Sequence, residues 1–262
     1  MLRLSKFVLA RALLSTAWAQ DTAISLYEGA IRGDKADRQK LIAMASDGDT
    51  SAQNNLGLLY ATGEGVPKNL AMAVSWFTMA AEQGHAAAQC ILGSFYANGE
   101  VVSKDSILAV NWYQKSAEQG FAVAEFGLGS MYANGEGVRK DFPLAVSLFH
   151  KAAEKGFEKA QYTLGSLYYK GEGVTGDVAL AASWYRKAAE QGYSSAQFNL
   201  GAMYYKGDGV PKDLVAAYMW RNLAAAQGDE KSKIVRDSLE EDMTREQIAE
   251  AQRLSREWQR KK

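Results

Sequence analysis

Few side chains in this 262-residue chain are of the types that carry chemistry. There are two histidines, His85 and His150, and a single cysteine, Cys90. A zinc site needs three or four His, Cys or carboxylate ligands converging on one point. His85 and Cys90 stand five residues apart, and two ligands do not make such a site. Nucleophilic catalysis needs a Ser, Cys or Thr beside a base that a third group orients, and no such set can be assembled from the two unrelated histidines. The run Gly63-Glu64-Gly65-Val66-Pro67-Lys68 and its siblings bring to mind phosphate loops. A Walker loop, however, requires G-x-x-x-x-G-K-(S/T) after a strand, and a dinucleotide loop requires G-x-G-x-x-G there. Neither condition is met, and no cofactor or metal is implied. The loop acids Glu64, Glu100, Glu136, Glu172 and Asp208 recur once per glycine run, as an acidic rim or as solvated loop charge.

The glycine runs belong to a larger regularity. Gly57, Gly93, Gly129, Gly165 and Gly201 are spaced by 36 residues without insertion or deletion. Around each runs A-(Q/E)-x-x-L-G-x-x-Y-x-x-G-x-G-V, then Asn or Asp, A-x-x-W and A-A-x-x-G. Self-similarity at a fixed period of 20 to 50 residues is the mark of a repeat array. Three departures stand out: Val101 in place of the second loop glycine, Leu148 in place of tryptophan, and Gly176 in place of the basic residue found as Lys68, Lys104, Lys140 and Lys212.

The elements that carry this pattern read as helices. Ala88, Leu92 and Tyr96 recur every four residues on a first helix, and Ala109, Trp112 and Ala117 mark a second. The loop glycines supply the left-handed conformation that closes the first helix. Asn69, Asp105, Asp141, Asp177 and Asp213 stand where a side chain caps the second helix. Small residues beside large ones, Leu-Gly against Ala-Ala and Trp, let the two helices interlock. Before the array, Ala23 to Ile31 and Arg38 to Ala45 read as a degenerate helix pair; after it, Thr244 and Gln247 form a capping box ahead of Ile248, Ala251, Leu254 and Trp258.

Lys+Arg and Asp+Glu are each 30, so no basic field points to nucleic acid. One cysteine excludes an internal disulfide framework. Residues 1–19 stand outside the repeat: Arg3 and Lys6, an apolar stretch from Phe7 to Trp18 broken by Arg11, then Ala17-Trp18-Ala19 before Gln20. That is a secretory signal pattern, with an organellar presequence or a cytosolic leader as the other readings. It leads to the expectation of a periplasmic or secreted protein cleaved after Ala19, with cytoplasmic location as the alternative. Without Arg3, Lys6 and Arg11 the chain holds 27 basic against 30 acidic residues. No 18-residue apolar run follows, so the mature chain is not expected to insert in a membrane.

The repeat resembles that of the Sel-one-like family, a branch of the tetratricopeptide superfamily, over residues 52–228 in five copies. The resemblance implies an all-α, right-handed α-solenoid of helix–turn–helix repeats. It divides the chain into a signal peptide at 1–19, a degenerate N-terminal capping repeat at 20–51, five 36-residue repeats at 52–228 and C-terminal capping helices at 229–262. Some family relatives linked to β-lactam binding or hydrolysis resemble cysteine-rich chains with a disulfide per repeat; one cysteine here breaks that carry-over.

In such arrays the first helices line the concave surface where extended peptides or partner helices bind, and the positions that vary between copies are left for recognition. Three residues before the first-helix glycine stand Asn54, Cys90, Phe126, Tyr162 and Phe198. Four after stand Ala61, Ala97, Ala133, Tyr169 and Tyr205; five after stand Thr62, Asn98, Asn134, Lys170 and Lys206. The partner-binding candidates are therefore Phe126, Tyr162, Phe198, Tyr169, Tyr205, Lys170 and Lys206, an aromatic groove edged with lysines or, alternatively, packing between copies. The expected function is a non-catalytic scaffold or adaptor for another protein, in envelope signalling, complex assembly or host interaction. The alternative is a glycan- or peptidoglycan-associated binding or hydrolytic protein on the same scaffold.

Overall fold

The computed structural model describes residues 22–260, so the leader expected at residues 1–19 lies outside the described residues. Among these, the chain is all-α: fourteen α-helices and one 3-10 turn, with no strand. They form two compact units that meet in sequence between Lys140 and Asp141. The first holds α1 (Thr22–Ile31), α2 (Lys35–Ser46), α3 (Thr50–Thr62), α4 (Leu70–Glu82), α5 (Ala86–Asn98), α6 (Ser106–Glu118) and α7 (Ala122–Asn134). The second holds α8 (Phe142–Glu154), α9 (Glu158–Lys170), α10 (Val178–Glu190), α11 (Ser194–Lys206), α12 (Leu214–Ala225), α13 (Glu230–Leu239), the 3-10 turn Glu240–Asp242 and α14 (Arg245–Arg260).

The helix ends are where the caps place them. Gly63, Gly99, Gly135, Gly171 and Gly207 close the first helices with φ between +69° and +82°. Each returns its N–H to a carbonyl four residues back, an orphan of the helix end. Asn69, Asp105, Asp141, Asp177 and Asp213 open the second helices in extended backbone, and each side chain accepts a first-turn N–H. The capping box before α14 also forms: Thr244 N donates to Gln247 Oε1 at 2.9 Å, and Gln247 N donates to Thr244 Oγ1 at 3.3 Å.

Within a repeat the two helices meet at the Leu-Gly step. A Cβ on Gly57 would lie 2.7 Å from the Phe77 ring, on Gly93 2.8 Å from Tyr113, and on Gly165 2.6 Å from Tyr185. The glycine thus seats an aromatic from the second helix. The second loop glycine has a separate reason. At Gly137 and Gly209 a Cβ would strike the carbonyl oxygens of Ser106 and Val178, so the loop rests against the preceding second helix; at Gly65 it would strike that of Ala30 near the end of α1. Those glycine runs are seams between neighbouring units of the chain.

Buried glutamines tie successive helices together. Gln161 on α9 donates from Nε2 to the Ala153 carbonyl of α8 at 3.1 Å, and its Oε1 accepts from Gln191 at the end of α10 at 2.8 Å. Gln53, Gln89 and Gln197 repeat both bonds with Ala45 and Gln83, Ala81 and Gln119, and Ala189 and Gln227. Each buried amide therefore spans three helices with donor and acceptor both engaged, the condition under which a buried polar group stabilises.

The ends continue the scheme. In the first unit Asn55 Nδ2 donates to Ala23 O at 3.1 Å and Arg38 Nη1 to Gly65 O at 2.8 Å, holding α1 and α2 against the array. In the second, α13 starts 36 residues after α11, behind the N-cap Asp229, so the closing helices contain a further first helix in register. Trp258 of α14 packs edge-on against Trp220, with ring centroids 6.4 Å apart. Gly165→Ala is expected to destabilise the protein by ~1–3 kcal/mol through overpacking against Tyr185, measured as a lower urea midpoint. Adding Tyr185→Leu should recover part of that loss, whereas a purely helix-propensity effect would leave the two changes additive.

Candidate functional site

The variable first-helix position is a seam rather than a uniformly open face. Asn54 and Cys90 are 4% exposed there, whereas Phe126, Tyr162 and Phe198 are half-buried. Phe126 lies on α7 in the first unit; the other six candidates lie on α9 and α11 in the second.

Tyr162, Tyr169, Lys170 and Lys206 share one cavity of about 300 Å³ between α9 and α11. Two buried residues outside the sequence candidates also line it, Tyr185 of α10 and Met203 of α11. The Tyr162 ring lies 5.6 Å from Tyr185 and 5.2 Å from Tyr193, centroid to centroid, so it packs against two rings of its own repeat and lines the cavity at once. Burial raises the Tyr185 phenol pKa, and the neighbouring Asn199 and Ser166 side chains offset part of that rise.

The two outer tyrosines are latches as well as surface. Tyr169 Oη donates to Asp208 Oδ2 of the following loop at 3.2 Å, and Tyr205 Oη donates to Asp242 Oδ2 of the 3-10 turn at 3.1 Å. Their rings remain 40% and 38% exposed, enough for a partner to cover. The hydrogen bond to Asp242 and that carboxylate's charge raise the Tyr205 pKa. Lys170 pairs with Glu172 at 3.6 Å. Lys206 has no hydrogen-bond or ion-pair partner among the described residues.

Phe198 sits differently. The Arg221 guanidinium lies 3.6 Å from its ring centroid and covers that face. Arg221 occupies the position held by Phe77, Tyr113, Phe149 and Tyr185 in the other copies, and at 5% exposure burial pulls its pKa down to about 10. The break in that aromatic series was readable at the 36-residue spacing, and Arg221 was not singled out from it.

The remaining chemistry-bearing residues serve the fold. His85 caps α5, its Nδ1 accepting from Ala88 N at 3.3 Å, and His150 Nε2 bonds Tyr168 Oη at 3.0 Å. Cys90 is buried, which pushes its thiol up to about 12. Among the described residues no group of three or more His, Cys, Asp or Glu could hold a metal ion, and no helix is long and apolar enough to cross a membrane. Three of the five loop acids are individually engaged, Glu136 with Lys104 at 3.5 Å, Glu172 with Lys170 and Asp208 with Tyr169.

The Sel1 repeat family model matches residues 50–85, 86–121, 122–157, 158–193 and 194–229. The chain belongs to the Sel1 repeat family. Solved structures agree. A protective antigen present in uropathogenic Escherichia coli strains, displaying an SLR fold, is similar at 31% identity and a TM-score of 0.76 over 97% of this chain. This chain spans 55% of that antigen's length. A Sel1 repeat protein from Oxalobacter formigenes is 35% identical, with a TM-score of 0.71, over 81% of this chain and 85% of its own. A further Sel1 repeat structure from Klebsiella pneumoniae, at 22% identity and a TM-score of 0.51 over 77% of this chain and 98% of its own, shares the fold. No curated protein matches the chain. Sel1 repeat proteins generally mediate protein–protein interaction and are typically non-catalytic.

The burial of Cys90 has a direct readout. The native protein should leave Ellman's reagent unreacted at pH 8, with one thiol per chain appearing in denaturant; rapid native labelling would contradict the packing of α5.

Proposed function

We propose that this Sel1 repeat protein is a non-catalytic scaffold that binds another protein along the first-helix face of α9 and α11. The observation that carries this reading is the cavity between those helices, walled by Tyr162 and Tyr169 and edged by Lys206, which has no ion-pair partner among the described residues. These residues stand at positions where the copies differ, so the repeat itself does not require them. Partly exposed tyrosine rings offer a partner large contact area at small entropic expense, and a surface cation adds orientation.

Export through the leader at residues 1–19 is part of the same proposal, with roles in envelope signalling, complex assembly or host interaction. The leader's charged start, apolar stretch and Ala17-Trp18-Ala19 support it. The likeness to a protective antigen supports the host-facing version. N-terminal sequencing of the mature protein should begin at Gln20; recovery of an intact Met1 end from a secreting host would remove the exported reading.

Crosslinking in the native host followed by mass spectrometry tests the binding face. Tyr169→Ala/Lys206→Ala alters exposed side chains, so the fold should persist by circular dichroism while recovery of the crosslinked partner falls about tenfold. Undiminished recovery would move the binding face elsewhere on the chain.

A further inference from the structure

Resting on that reading, we infer that the α9–α11 cavity takes an apolar side chain of an extended partner segment whose neighbouring residue is an internal Asp or Glu. The size of the cavity sets the first half. Pockets for drug-sized ligands run from about 300 to 1,000 Å³, and at about 300 Å³ this one stands at the small end. It has room for an apolar side chain entering from the surface. Its apolar lining is made of the Tyr162 and Tyr185 rings with Ala202 and Met203, beside Ser166 and Asn199.

The charges at the mouth set the second half. Lys170 is held by Glu172 at 3.6 Å. Asp208 accepts from Tyr169 at 3.2 Å and forms no ion pair with Lys206. Lys206 is the rim charge with no partner among the described residues, and it stands at the last position of α11, next to the cavity. An incoming carboxylate gains an ammonium there without breaking an existing pair. The Asp208 carboxylate opposes that anion from the same rim, and this gives the inference two mutations of opposite sign.

A displayed library of random 12-residue peptides, selected against the full chain, supplies the probe. Enriched peptides should carry an aliphatic or aromatic residue directly beside Asp or Glu. Lys206→Glu should weaken a selected peptide between about threefold and tenfold, and Asp208→Asn should strengthen it, both effects shrinking in 0.5 M salt. Lys206→Gln, which preserves helix-end chemistry more closely, should give an intermediate loss. Enrichment of basic or uncharged peptides, or equal binding by Lys206→Glu and wild type, overturns the inference. So does a selected peptide that binds as the free acid and fails as the C-terminal amide, since the carboxylate would then be terminal. If the crosslinked partner is lost in Tyr169→Ala/Lys206→Ala while no acidic peptide is selected, the binding face stands and this ligand chemistry falls. If acidic peptides bind in the expected charge pattern while partner recovery is undiminished, the cavity assignment stands and the proposed partner face falls.

Discussion

The structure depends on how closely two helices can approach at a Leu-Gly step. At Gly57, Gly93 and Gly165 there is no room for a methyl group, because an aromatic ring from the second helix fills the space. That contact sets the distance within those helix pairs, and close-packed interiors transmit such distances to their neighbours. The second loop glycine then sets the distance between successive pairs, by letting the loop lie on a backbone carbonyl of the unit before it. One residue type thus permits both close approaches in the copies that carry it. An inserted residue would shift a glycine off its ring or its carbonyl.

The glutamine links add direction to this packing. Gln161 reaches back to Ala153 and is itself reached from Gln191, so α9 is bound both to the second helix before it and to the one after it. The same two bonds recur at Gln53, Gln89 and Gln197, whereas the third copy carries Glu125 and Lys155 at these two positions. A buried amide that finds both partners specifies one register and penalises others, because a slipped neighbour would leave it unsatisfied.

Much of this was legible in the residues. Helix ends were written in Gly171 and Asp177 and their counterparts, and the Thr244–Gln247 box is local chemistry that needs no tertiary knowledge. The glutamine links were not legible, since a polar residue on a helix reads as surface and its partner stands 30 residues away. The candidate site was half legible for the same reason. Tyr162, Tyr169, Lys170 and Lys206 were marked by variation between copies, and they do line one cavity. Tyr185 and Met203 were hidden because they hold consensus packing positions, and only the structure shows one side of each facing open space. Nor does spacing reveal that Tyr169 and Tyr205 spend their hydroxyls on acids 39 and 37 residues further on.

Recognition and stability are therefore not carried by separate sets of residues in the second unit. Tyr162 touches the core rings Tyr185 and Tyr193 and the cavity together, and Tyr169 holds the next loop while exposing its ring. A rim fixed in this way loses little side-chain freedom when a partner arrives, which lowers the entropic penalty of binding. Where a copy abandons the aromatic position, the surface changes with it: Arg221 lies flat on Phe198, so the ring is covered by its own repeat. The same 36-residue scaffold thus presents an open aromatic wall at Tyr162 and a closed one at Phe198, through one substitution at the residue that packs beneath.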